Sequence, residues 1–373
     1  MKHERLIALD AFRGATIAGM MLVNNPGSWT NVYRQLEHAR WNGWTFTDMI
    51  FPSFLFIVGV AMTFSFRSRM QEGSDKTKLY WHIIRRTVII FLLGVILNGF
   101  PSYHLATIRI PGVLQRIAIC YFIASLIVLN SGIRAQSIWT VSLLALYWMM
   151  VKLIPVPGYG AGVMQPVGSL CWYVDSHVFA GHTYAYAPAP GFDPEGIVST
   201  IPSVATVLFG VLTGHWLQSK YTSKEKAMWM FSGGIIFILL GLVLNIWLPI
   251  NKNMWTSSFS VLMAGWSLLG LSIFYWIIDV KGYKKIAMPF VIYGMNPLTV
   301  YFLSGIIAKL YSNVIVWRTQ AGQIVSLHDY LFQKFFLPIA SPVNASLLFA
   351  ISFMLLMYLI AWFMWRRKWF LKV

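Results

Sequence analysis

The chain has 373 residues, of which 57% are apolar and 11% are charged, against a charged share of about 25% in soluble globular domains. So little polar surface excludes both a water-facing globule and a disordered chain. The net charge of +17 points to basic loops on the cytoplasmic side of a membrane and not to nucleic acid, because the basic residues are dispersed between apolar runs and form no single patch.

A membrane helix needs about 20 mostly apolar residues. In chain order, spans are expected at 6–23, which Asp10 and Arg13 interrupt; at 46–66; at 87–100 and 117–129, two short runs that borrow polar flanks; and at 138–154, 197–217, 228–249, 259–278, 289–308 and 347–365. The fold class is an all-α integral membrane protein of about ten transmembrane helices, read as a single domain over 1–373 with no strong internal repeat. The charged amino terminus leads into no separate apolar segment with a small-residue cleavage site, so the first span is expected to be retained.

With the amino terminus inside, Lys and Arg gather in every second connection: 2–13, 67–86, 134, 220–226, 281–285 and 366–372. Both termini are then cytoplasmic. The longest loop, 155–196, holds neither Lys nor Arg and falls outside. Its Gly158, Gly160 and Gly162 follow no strand and open no helix, so they make no nucleotide loop. Gly210 and Gly214 have the small-xxx-small spacing of helix packing. Cys120 lies in an apolar run and Cys171 in a polar loop; both are read as unpaired, and no Cys/His cluster suggests a metal.

Charges in or beside a span are costly and mark candidate sites. Asp10 and Arg13, three apart, share a helix face and can pair; either the pair lets the first span enter the membrane, or Arg13 meets an anionic ligand. Next, Asn24, His38, Asn42 and Asp48 gather in the connection before the second span. His is the usual general base at neutral pH. A carboxylate such as Asp48 can orient its ring and stabilise its charged form, and an Asn amide can donate to a developing oxyanion. Gln115 and Arg116 open a short span behind a Pro-Gly break, where Arg needs a partner, a watery cavity or an interface to snorkel to. Asp193 and Glu195 sit at the mouth of the 197–217 span, where the helix dipole also favours acids. Asn296-Pro297 breaks the 289–308 span, as a kink or as an opening to a cavity.

The stretches RLIALDAFRG, MLVNNPG, EHARWNGWTFTDMIFPSFLFIVG, RIPGVLQRIAICYF, FDPEGIVSTIPS, NKNMWTSSF and YGMNPLTVYFLS run from residue 5 to 304. In this order they resemble the heparan-α-glucosaminide N-acetyltransferase family, which includes a lysosomal enzyme and bacterial multi-pass proteins, some labelled as N-acetylglucosamine-related transporters. HARWNG followed by TDMIFP carries most of the specificity. The chain is similar to a minimal bacterial version, which implies a multi-pass protein of the bacterial cytoplasmic membrane, with a homodimer as the family's suggestion. The resemblance also implies transfer of acetyl from cytoplasmic acetyl-CoA, as co-substrate, to the amine of a glucosamine on the far side. The family's active His matches His38, and its upstream Asn matches Asn24.

The remaining roles follow from residue chemistry. CoA is a polyanion, and Arg suits bidentate phosphate contact; Arg13, Asp10, Arg85, Arg86, Gln115, Arg116 and Asn296 form the candidate set on its side. His38 either takes the proton of the attacking amine or carries the acetyl group itself. Asn24 or Asn42 holds the thioester oxygen. Trp41, Asp193, Glu195 and Trp255 are candidates to bind the amino-sugar acceptor by charge and by apolar stacking. The competing readings are a sugar transporter and an O-acetyltransferase of a cell-envelope polysaccharide.

Overall fold

The computed structural model describes residues 6–71, 76–320 and 322–371. Lys2, Arg5 and Lys372, counted above among the cytoplasmic charges, lie outside the described residues. The helices are α1 (Ile7–Asn24), α2 (Phe46–Gln71), α3 (Lys76–Gly99), α4 (Val113–Asn130), α5 (Ile133–Leu153), α6 (Leu170–Val178), α7 (Ile197–Leu217), α8 (Ser223–Leu244), α9 (Ser257–Tyr275), α10 (Lys284–Gly294), α11 (Pro297–Lys309), α12 (Leu327–Leu331) and α13 (Pro342–Arg366). A short antiparallel hairpin, β1 (Val316–Arg318) and β2 (Ile324–Ser326), separates α11 from α12.

Every span expected from the sequence coincides with a helix. Among the described residues, α1, α2, α3, α4, α7, α8, α9 with its π-helical extension, and α13 are long and apolar enough to cross a membrane. Helices α10 and α11 qualify together as one span bent by 60°. The bend falls at Asn296-Pro297: proline has no N–H to continue the ladder of α10 and takes the first position of α11 instead. Helix α5 fills the tenth expected segment, although it falls outside that set. The chain is an all-α, multi-pass membrane protein.

Helices α1, α2, α7 and α9 are mostly buried, whereas α3 and α8 turn broad apolar faces outward through Leu92, Ile96, Ile236 and Leu239. Lipid offers no hydrophobic gain for helix association, so close backbone approach has to supply it. Gly59 and Gly210 give α2 and α7 that approach: a Cβ on Gly210 would stand 1.9 Å from the Phe56 carbonyl oxygen, and one on Gly59 the same distance from that of Val207. Several hydroxyls inside the bundle are satisfied by the preceding helical turn, as in Thr16 to Phe12 O, Thr206 to Pro202 O and Ser267 to Met263 O.

The loop 155–196 is less irregular than its Pro and Gly content suggests. It contains α6 and folds over a small core of Tyr147, Val156, Leu170, Phe192 and Met254. Cys171 sits in α6, buried in that core, and not in a polar loop as its neighbours in sequence imply. Both cysteines are free.

Candidate active site

The first turn of α2 places Asp48 with its carboxylate directed back over the loop that precedes the helix. Oδ2 accepts from the backbone N–H groups of Ala39 and Thr45, each at 3.0 Å, and from the Thr45 hydroxyl at 3.0 Å. Oδ1 faces His38 Nδ1 at 2.6 Å. A carboxylate only accepts, so Nδ1 carries the hydrogen and Nε2 presents its lone pair outward. The Asp48 side chain is wholly buried while that of His38 is 51% exposed. The result is an oriented imidazole, half-exposed, whose Nε2 has no hydrogen-bond partner among the described residues.

A second loop is stitched to the first. Gly43 N donates to Ile250 O at 2.8 Å, and Asn251 Nδ2 donates to Asn42 Oδ1 at 3.2 Å. Asn251 Oδ1 accepts from Met254 N at 2.9 Å, which closes the turn. This brings Lys252 within electrostatic reach of His38, Asp48 and Glu195. The Lys252 charge, then burial, lowers the His38 pKa below its ordinary value of 6.5, against the pull of Asp48 and Glu195. The sequence suggested that Asp48 would favour the charged imidazole, and it does, but Lys252 and burial together pull the other way and the net shift favours the neutral ring.

The acidic pair at the mouth of α7 is organised by Arg109. Its Nε donates to Asp193 Oδ2 at 2.8 Å and its Nη2 to Asp193 Oδ1 at 2.6 Å, while Nη2 also meets Glu195. Asp193 further accepts from Tyr184 N and Glu195 N, both at 2.9 Å, so its lone pairs are taken. Burial pushes the Glu195 carboxyl up, but the charges of Arg109, Lys252 and Arg116 hold it down to about 2. Arg109 belongs to a quoted motif, yet local sequence gave no sign that its partner lies 84 residues away.

Several acceptor and donor candidates take other positions. Trp255 is fully buried, with its Nε1 on Thr206 Oγ1 at 3.1 Å and its ring between Phe51, Phe259 and the Arg116 guanidinium, so no face is left to stack on a sugar. Asp193, saturated by Arg109, has no capacity for a ligand. Trp41 donates to Met164 O at 2.8 Å and packs edge-on to Phe192, bracing the outer loop. Asn42 accepts from Asn251 through Oδ1, which fixes the amide and leaves its Nδ2 as the donor the oxyanion role requires. Arg116 is fully buried and holds Gly196 O and Ser199, so it does not snorkel. Gln115 is buried against Gly94 and Gly112. Asn296 holds the carboxy-terminal strand of chain, giving to Trp369 O at 2.9 Å and accepting from Leu371 N at 3.1 Å. Asn24 ends α1 and is exposed.

At the other end of α1 and α2, Arg13 Nη2 pairs with Asp10 at 2.6 Å, and Arg13 Nε donates to Gly294 O at 2.7 Å. Arg13 and Arg86 line a cavity of about 200 Å³ together with Ser65, Tyr121 and Leu298. The Arg86 guanidinium rests over Tyr121 at 4.8 Å, and its buried Nε has no hydrogen-bond partner among the described residues. Arg85 points away and is exposed. The cavity follows α2 from Phe66 to Phe54. Residue 54 is six positions from Asp48, an axial separation of about 9 Å.

Comparison with known proteins shows the family. Residues 5–250 match the family model described as heparan-alpha-glucosaminide N-acetyltransferase, catalytic. The mouse protein named heparan-alpha-glucosaminide N-acetyltransferase is 31% identical over 80% of this chain and 53% of its own length. The human protein of the same name is 30% identical over 80% of this chain and 52% of its own. The chain thus spans about half the length of these relatives. On the matched motifs, the span pattern and the extent of the match, it belongs to the heparan-α-glucosaminide N-acetyltransferase family.

Proposed function

We propose that the protein moves acetyl from cytoplasmic acetyl-CoA to the amine of a glucosamine-type sugar on the outer face of a bacterial cytoplasmic membrane. The observation that carries this reading is the oriented His38: Nδ1 fixed by Asp48 at 2.6 Å on a side chain that is 51% exposed. The acceptor amine attacks the thioester carbonyl, its proton passes to His38 Nε2, the new C–N bond forms, and the C–S bond breaks as CoA leaves and takes up a proton. In the alternative order, Nε2 receives the acetyl group first and hands it to the amine.

The donor side is supported by the cavity that Arg13 and Arg86 line, which matches the phosphates of CoA in charge. Its course along α2 gives a thioester arm a route toward His38. Asp10 fixes Arg13 in that wall. Asn24 and Glu195 remain the residues nearest in character to an oxyanion donor and an acceptor ligand on the His38 side. A protein with basic connections on one side and the 155–196 loop on the other has its amino terminus inside, so the two ends of α1 face the two compartments.

The test uses purified protein in liposomes, with labelled acetyl-CoA on the Arg13 side and glucosamine on the His38 side. The expected product is N-acetylglucosamine, lost in His38→Ala. Sugar flux that needs no acetyl-CoA and survives His38→Ala would favour a transporter, and acetyl found on oxygen would favour an O-acetyltransferase.

A further inference from the structure

The segment between α11 and α13 lies beyond the matched catalytic model, yet it grips the exit of α1. Asn25 Nδ2 closes the helix end on Met21 O at 2.9 Å, and Asn25 Oδ1 accepts from the Tyr311 hydroxyl at 3.3 Å. The next carbonyl, Pro26 O, accepts from His328 Nε2 at 3.2 Å. Gly27 N donates to Ser346 O at 3.2 Å, and Ser28 N donates to Ser346 Oγ at 3.0 Å. Tyr311 and His328 stack with ring centres 5.5 Å apart and an interplanar angle of 12°, and Phe349 meets both rings edge-on.

Gly27 seals the contact. A Cβ there would lie 2.4 Å from the Phe332 ring and 3.0 Å from Phe349 Cβ, so the turn and the apolar cluster of Phe332, Ala345 and Phe349 fit only because the side chain is absent. Each residue from 25 to 28 is therefore held by a group between 311 and 346. Asn24 is the last residue of α1, directly before this clamped turn, and its side chain has no hydrogen bond among the described residues.

We infer that Tyr311, His328 and Ser346 are positioning residues, a clamp supplied by the carboxy-terminal segment that aims Asn24 at the reaction centre. The inference rests on the role given to Asn24 in the proposed reaction. The clamp has a stack and a set of hydrogen bonds, and the two are separable. His328→Phe keeps the stack and removes both ring contacts, to Pro26 O and to Asp329; His328→Gln returns a donor at the Nε2 position alone. Tyr311→Phe removes only a hydroxyl.

The experiment measures acetyl transfer in proteoliposomes together with the mobility of a nitroxide on Trp29→Cys, an exposed site just past the clamp; the two native cysteines are buried and should stay unlabelled. His328→Phe and Tyr311→Phe should each lower kcat about three- to tenfold, the scale of one lost hydrogen bond. KM for acetyl-CoA should not change, and label mobility should rise. His328→Gln should restore both. Wild-type kcat in His328→Phe with raised mobility would overturn the inference, since the clamp would exist without serving Asn24. Unchanged mobility would overturn it as well, and so would a loss that His328→Gln does not repair. An Asn24→Ala variant as active as wild type would remove the premise, while a wild-type protein without acetyl transfer would remove the proposed function itself.

Discussion

His38 Nδ1 and Asp48 Oδ1 lie 2.6 Å apart, and the second oxygen of the same carboxylate ties Ala39 and Thr45 to the start of α2. One buried side chain thus closes the loop, receives the first turn of the helix and selects the tautomer of the base. The proposed catalytic geometry and local folding share a residue here, so changes at Asp48 should act on both.

Asp48→Asn separates the two roles. The backbone amides of Ala39 and Thr45 need an acceptor, which forces the Asn oxygen toward them and the amide nitrogen toward His38 Nδ1. The ring must then carry its hydrogen on Nε2, where the lone pair is needed. The expected loss in kcat is about a thousandfold or more, comparable to tautomer errors in other His–Asp pairs, with the protein still folded. Asp48→Ala leaves the loop amides without their acceptor and should also lower the unfolding free energy, by about 2 kcal/mol. Wild-type kcat in Asp48→Asn would show that His38 is not the base.

Lys252 makes a prediction about pH. Its charge lowers the His38 pKa, so the neutral ring persists to more acidic solution than an ordinary His allows. A base is active when deprotonated, and the acid limb of kcat/KM therefore lies below pH 6.5 in the wild type. Lys252→Met should move that limb upward, with the largest relative loss of rate near pH 6 and little loss at pH 8. Lys252→Arg should restore the wild-type profile. The check is a pH–rate profile at saturating acetyl-CoA; an acid limb that stays in place in Lys252→Met refutes the electrostatic link.

Much of this architecture is legible in the sequence because its causes are local. Twenty apolar residues in a row announce a span whatever surrounds them, and Asp10 and Arg13 pair because three positions make one helix face. The pairing of His38 with Asp48 is within reach for the same reason, since one flanks a loop and the other opens the helix that ends it. What stays hidden depends on contacts between distant segments. Asp193 reads as a ligand for a sugar until Arg109 is seen to occupy it. Trp255 reads as an outer aromatic, but its backbone takes φ of 49° and turns the ring into the core. Asn296-Pro297 reads as a kink or an opening to a cavity, and Pro297 and Leu298 do line the cavity beside Arg13, but nothing local shows that the Asn296 amide also fastens the chain end. Lys252 passes unnoticed because only the stitch between Asn42 and Asn251 carries it to His38.

The donor cavity gives the last prediction. Arg86 lines it with a buried Nε that no other described group uses, so the guanidinium is available to an anion entering from that end. A phosphate contact of this kind is made in the ground state and kept in the transition state, so its loss should appear in KM and not in kcat. Arg86→Gln is expected to raise KM for acetyl-CoA about tenfold, the scale of one charge-assisted hydrogen bond, with kcat within about twofold of wild type. Arg134→Gln removes the same charge from an exposed site on α5 away from the cavity and controls for the general loss of positive potential. The comparison is sharpest at raised salt, where long-range attraction of CoA is screened and a direct contact in the cavity is screened much less. A KM that rises equally in both variants would assign Arg86 only to the overall field, and a fall in kcat without a change in KM would place it with the reacting groups instead.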